Sequence, residues 1–102
     1  MNSLNNRSKL YLEGLEYTVA KTEHWNSFAK VRNDLFGVFD LLAIRPKEII
    51  GVQVTSKSNM GARVKKITES DKANMWLLAG GLIAVHGWHK VKNKWQVEIR
   101  NL

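Results

Sequence analysis

"LFGVFDLLAIRPKEIIGVQVTS", residues 35–56, decides how this chain folds. The first half, 35–45, is apolar and rich in β-favouring residues apart from Asp40, and "IIGVQVTS", 49–56, is a second run of the same kind. "PKE" punctuates the chain between them, with Pro46 placed to preset φ at the first corner of a type I turn. A hairpin centred between Pro46 and Lys47 sets Arg45 opposite Glu48, Ile44 opposite Ile49 and Asp40 opposite Gln53. Opposed residues have Cβ atoms about 4.5–5.5 Å apart. Asp40 and Gln53 could therefore share one ligand, with Thr55 next on the same face at the two-residue period of a strand.

Working outward, residues Ser3 to Glu13 read as a short helix with Leu4, Leu10, Tyr11 and Leu12 on one stripe, stopped by Gly14. Tyr17 to His24 reads as a first strand and "NSFAKVRND" as a connecting loop. Beyond the polar corner "SKSN", Met60 to Glu69 suits a basic helix capped by Ser58 or Asn59. A further helical run begins at Ser70 or Asp71 and ends at Gly80 and Gly81, separate from the previous helix or joined to it by a bend. "LIAVHGW" suits a buried strand, "WQVEIR" alternates, and "KNK" turns the chain between them. The order αβββα(α)ββ implies an α/β or α+β domain, a mixed central β-sheet flanked by helices.

The 102 residues fit one domain, 1–102. Sixteen Lys and Arg against nine Asp and Glu leave a net charge of +7, which favours polyanionic partners, nucleic acid foremost. The absence of cysteine excludes disulfides, zinc fingers of the cysteine type and thiol catalysis. No apolar run is long enough for a membrane helix and the first residues lack a signal-peptide core, so the expectation is a cytoplasmic protein without a membrane partner.

A carboxylate inside an apolar strand costs stability unless it is paired, hydrogen-bonded or bound to a metal, which makes Asp40 a candidate site residue. A structural salt bridge to Arg32 or Lys57 accounts for it equally well. Lys57 follows Thr55 by two residues and could reach back along the strand. Glu23 is the favoured second acid, with Glu16 and Glu13 behind it. Lys30, Arg32, Lys57, Arg63 and Lys66 could hold phosphates, and Trp25 could contact nucleic acid. Lys65 cannot share a groove with Lys66, and a solvated helix face is the plain alternative for the helical cations. Trp76 and Trp95 read as core residues, and His86 and His89, three apart on a strand, face opposite sides.

The αβββαβ order, with an acid in the second strand and the polar-x-polar triplet "QVT" on the third, resembles the PD-(D/E)XK nuclease superfamily, near its small phage-type VRR-NUC and Holliday-junction-resolvase-like branches. The resemblance implies an αβββαβ restriction-endonuclease-like core with an extra C-terminal strand, and a metal-dependent DNA endonuclease that works as a homodimer with Mg²⁺ or Mn²⁺. By that likeness Asp40 is the central metal-binding acid, Gln53 stands where the second acid falls, and the Val54 carbonyl and Glu23 complete the metal set. Thr55 stands at the position of the family's lysine, whose work is to activate water and offset phosphate charge, and Lys57 is its substitute. A catalytically inactive nucleic-acid-binding module on the same fold, or a basic domain that meets an acidic protein, stays open beside the enzyme.

Overall fold

The first helix, α1, spans Ser3–Gly14, and its buried stripe is Asn5, Ser8 and Leu12, with Leu4 half-buried. The apolar stripe expected from the sequence is corrected here, since Leu10 is 68% exposed and Tyr11 lies at its margin, its ring edge-on to His86 at 5.8 Å between centroids. Ser8 is buried there because the sheet beneath it presents His86 and Trp88 as polar partners. The computed structural model describes residues 3–22, 24–28 and 31–102, and at 3, 24–26 and 31–33 the backbone alone.

Strand β1, Thr18–Lys21, is followed by a small hairpin of β2, His24–Asn26, and β3, Val31–Asn33. The long first strand expected to reach His24 therefore stops at Lys21, and part of the expected loop pairs with itself. The second strand is also shorter than its apolar run: β4 is Leu41–Arg45. Residues 35–39 fold back on themselves instead, with Leu35 bridging Phe39 across a turn in which Phe36 and Gly37 take φ of 56° and 70°. β4 pairs antiparallel with β5, Glu48–Ser56, from Arg45 opposite Glu48 to Leu41 opposite Val52, the register read from the Pro46 loop. The turn type differs from expectation. Lys47 has φ 67°, the positive value that type II requires at this corner and type I does not have.

A 3₁₀ turn, Lys57–Asn59, leads into α2, Met60–Thr68, and then α3, Asp71–Leu78. These are two helices. Ser70 caps the second, its hydroxyl accepting from the Ala73 amide at 3.2 Å, whereas Asn59 makes no side-chain cap on the first. The pair forms the crossover that a parallel connection needs, delivering the chain to β6, Leu82–Val91, which runs parallel to β5. β7, Lys94–Asn101, returns antiparallel through Lys92 and Asn93, both left-handed at φ 50° and 65°, the twist-matched two-residue hairpin turn.

The five-stranded mixed sheet has the order β1-β4-β5-β6-β7. Alternation along the strands separates two buried faces. Leu12 of α1 packs with Leu41, Ala43, Val52, Val54 and Trp88 on one, and Met60 and Ile67 of α2 and Ala73 of α3 pack with Phe39, Ile83 and Val85 on the other. Gly51 permits the second packing, because a Cβ there would lie 2.6 Å from the Phe39 ring. Among the described residues no helix is long and apolar enough to cross a membrane.

Candidate active site

β4 and β5 part company at Asp40. Its amide donates to the Val52 carbonyl at 2.8 Å, one step out of the ladder in which Leu41 faces Val52, while its own carbonyl accepts from the Thr22 amide at 2.9 Å. The side chain turns toward β5. Asp40 Oδ2 accepts from the Gln53 side-chain amide and from the Val54 backbone amide, each at 2.8 Å. The structure thus brings Asp40 and Gln53 together, and both are buried, 5% and 4% exposed.

A residue in an extended strand sends its N–H and C=O toward the same edge. The Val54 carbonyl therefore points toward the Asp40 corner with the amide that donates there. The donor set at this corner is one carboxylate, one neutral amide and one carbonyl, all oxygen ligands of the hard kind that Mg²⁺ takes. Among the described residues no three His, Asp or Glu side chains gather into a metal-holding cluster. A Mg²⁺ or Mn²⁺ at this corner would have few protein ligands and would need the rest from water or a bound anion.

Thr55 lies two residues beyond Gln53 and is 6% exposed. Lys57 does not continue that face: β5 ends at Ser56, and Lys57 opens the 3₁₀ turn with its side chain exposed. Glu13 is committed to Lys9 at 3.2 Å, and Glu16 is exposed past the end of α1 near Arg45, at the other end of the sheet. Neither joins Asp40. Glu23 and Lys30 lie outside the described residues, as do the side chains of Trp25 and Arg32, whose backbones face each other across the β2–β3 hairpin. Arg63 is half-buried on α2, and Lys65 and Lys66 are exposed in its last turn, where cations complement the helix dipole whatever else they bind.

At the Pro46 end, Glu48 accepts from the Tyr17 hydroxyl at 2.8 Å and from Arg45 Nε at 2.6 Å, and the Arg45 bond holds its carboxyl below the ordinary value. This cluster staples β1 to the hairpin.

Sequence reading missed a polar centre under α1. Trp88 Nε1 donates to Ser8 Oγ at 2.7 Å, and Ser8 Oγ lies 2.9 Å from His86 Nδ1. The indole can only donate, so Ser8 Oγ accepts from Trp88 and is hydrogen-bonded to His86 Nδ1 as well. Burial at 1% exposure pushes the His86 pKa from 6.5 down to about 4. Asn5, one turn before Ser8 and also 1% exposed, has no partner for either side-chain polar atom among the described residues. The i, i+3 spacing of Asn5 and Ser8 was the available signal, hidden by the polarity of both.

Trp95 packs against the Leu12–Trp88 cluster, at its margin. It is half-buried with Arg7 Cζ 4.5 Å and Lys90 Nζ 5.1 Å from its ring centre. Neither a scan against protein-family models nor a search of curated proteins finds a match to this chain.

Proposed function

We propose that this protein is a metal-dependent DNA endonuclease of the PD-(D/E)XK type. The observation that carries the proposal is the Asp40–Gln53 contact at the end of a sheet whose second and fifth strands run against the other three. Asp40 Oδ1, the Gln53 side-chain oxygen and the Val54 carbonyl would hold the cation. Gln53 now turns its nitrogen to Asp40, and rotating the amide by half a turn presents its oxygen without moving the backbone. Bound Mg²⁺ or Mn²⁺ would supply an activated water and a Lewis acid for a phosphodiester. Asp40 is kept in place by the Val54 amide, and burial of the corner excludes bulk water from it. The net charge of +7 brings the polyanion to the surface, and a homodimer lets two such corners address two strands.

A second reading, a nucleic-acid-binding module without catalysis, is favoured by one observation: Thr55 is buried where the lysine falls, and Lys57 sits off the strand. Incubation of plasmid and branched DNA with Mn²⁺ separates the two. Cleavage by the wild type, lost in both Asp40→Ala and the near-isosteric Asp40→Asn, is the result expected of the enzyme. Tight binding with no cleavage by any of the three proteins rejects it and leaves the binding module.

A further inference from the structure

The β6–β7 hairpin runs past the same end of the sheet that holds Asp40. β5 and β6 are parallel, so their C-terminal ends lie together, and Asp40 precedes β4 at that end because β4 runs against β5. Strands lie about 4.8 Å apart and rise about 3.3 Å per residue. From the Val54–His86 pair, two strands over from β4 and four residues on, the chain reaches Lys90, opposite Trp95. Lys90 and Trp95 therefore stand about 20 Å from Asp40, on the face of the sheet that α1 covers, whereas Gln53 and Thr55 belong to the face that α2 and α3 cover.

Arg7, on α1, and Lys90, on β6, both lie against the Trp95 ring, hence within about 10 Å of each other, the screening length near 0.1 M salt. Lys92 sits next along the chain, at the hairpin tip. None of the three has a carboxylate within ion-pairing reach among the described residues, and all three side chains are exposed. The ring attracts each cation by only about 0.5–1 kcal/mol at an exposed site, so it positions charge without neutralising it. Lys92 also occupies a left-handed corner, φ 50°, where glycine or asparagine is the low-cost residue. Two cations held on one aromatic ring, with a third exposed at the adjoining hairpin tip, make a surface suited to an anion.

We infer that Arg7 and Lys90, resting on Trp95, with Lys92 beside them at the hairpin tip, form a phosphate clamp that grips the nucleic-acid backbone beyond the end of the sheet at which the Asp40 corner lies. This rests on the nucleic-acid reading above and extends it to a surface that no motif marks. A lipid surface fits less well, because membrane adhesion needs apolar side chains inserted beside the cations. The tip offers Val91, while the Trp95 face is covered by Arg7 and Lys90.

The test is a salt titration of binding to a short fluorescent DNA duplex. The proteins compared are the wild type, the triple variant Arg7→Gln/Lys90→Gln/Lys92→Gln, and a triple variant removing equal charge elsewhere, Lys47→Gln/Lys72→Gln/Arg100→Gln. Each lost phosphate contact lowers the slope of log K against log salt by about 0.9, so the clamp variant should lose up to about 2.7 units of slope and bind at least about tenfold more weakly near 0.1 M salt. The distant variant should keep the wild-type slope, and Arg7→Lys/Lys90→Arg/Lys92→Arg should restore it. If the wild type binds but the two charge-removal variants behave alike, the clamp is wrong and the nucleic-acid reading survives. If the wild type fails to bind DNA at low salt, both fall. Binding to phosphatidylserine vesicles that depends on these three residues, with DNA binding indifferent to them, also overturns the clamp.

Discussion

Lowering the pH should destabilise the protein through His86. The imidazole is 1% exposed and packed under α1, so protonation would bury a charge. The folded pKa, about 4, lies below the value of 6.5 that the unfolded chain has. The unfolded state therefore binds the proton first, and stability is lost as pH falls from 6.5 toward 4. The loss contributed by this one group is about 2 kcal/mol at pH 5 and about 3 kcal/mol at pH 4, with little at pH 7.5. Urea unfolding of the wild type and of His86→Leu at these three pH values isolates it, since the carboxylates titrate in both. The leucine variant should be the less stable protein at pH 7.5, and its deficit should shrink by about 3 kcal/mol at pH 4. A deficit that stays constant across that range, or an NMR titration placing His86 near 6.5, refutes the argument.

Gly51→Ala should destabilise by about 1–3 kcal/mol, because its Cβ would meet the buried Phe39 ring at 2.6 Å and the ring is held by Trp76 at 5.0 Å between centroids; thermal unfolding measures this. Ser70→Ala removes the cap on the Ala73 amide and should cost about 1 kcal/mol, whereas Asn59→Ala, which loses no cap bond, should cost less in the same denaturation series. Asp40→Ala leaves both the Gln53 amide and the Val54 N–H buried without their acceptor and should cost about 2–5 kcal/mol, with Asp40→Asn retaining much of the difference. Equal unfolding midpoints for these two Asp40 variants would show that the hydrogen bonds to its carboxylate contribute nothing.

The β4–β5 register was legible because a two-residue loop leaves one pairing, and Pro46 located that loop. The Asp40–Gln53 contact came with it. The start of β4 was not legible: Leu35 to Phe39 are as strand-like in composition as Leu41 to Arg45, and only the left-handed backbone of Phe36 and Gly37 folds them away. Lys57 looked like a continuation of the Gln53–Thr55 face because period-two counting has no term for where a strand ends. The polar centre was invisible for another reason. Ser8 is buried because of residues 78 and 80 positions away, and local pattern counts only near neighbours.

That same long-range contact constrains the order in which the protein can be assembled. α1 is made before the sheet it packs on, yet its buried stripe is completed by His86 and Trp88 on β6, which must itself pair with β5 after the α2–α3 crossover. On a ribosome α1 therefore waits, its Asn5–Ser8–Leu12 stripe without its final cover, until β6 has emerged. Non-local closure of this kind slows folding. The hairpin around Pro46, closed over a two-residue loop, is the piece able to form early, so the Asp40 corner is set down before the helix that completes the opposite face of the sheet.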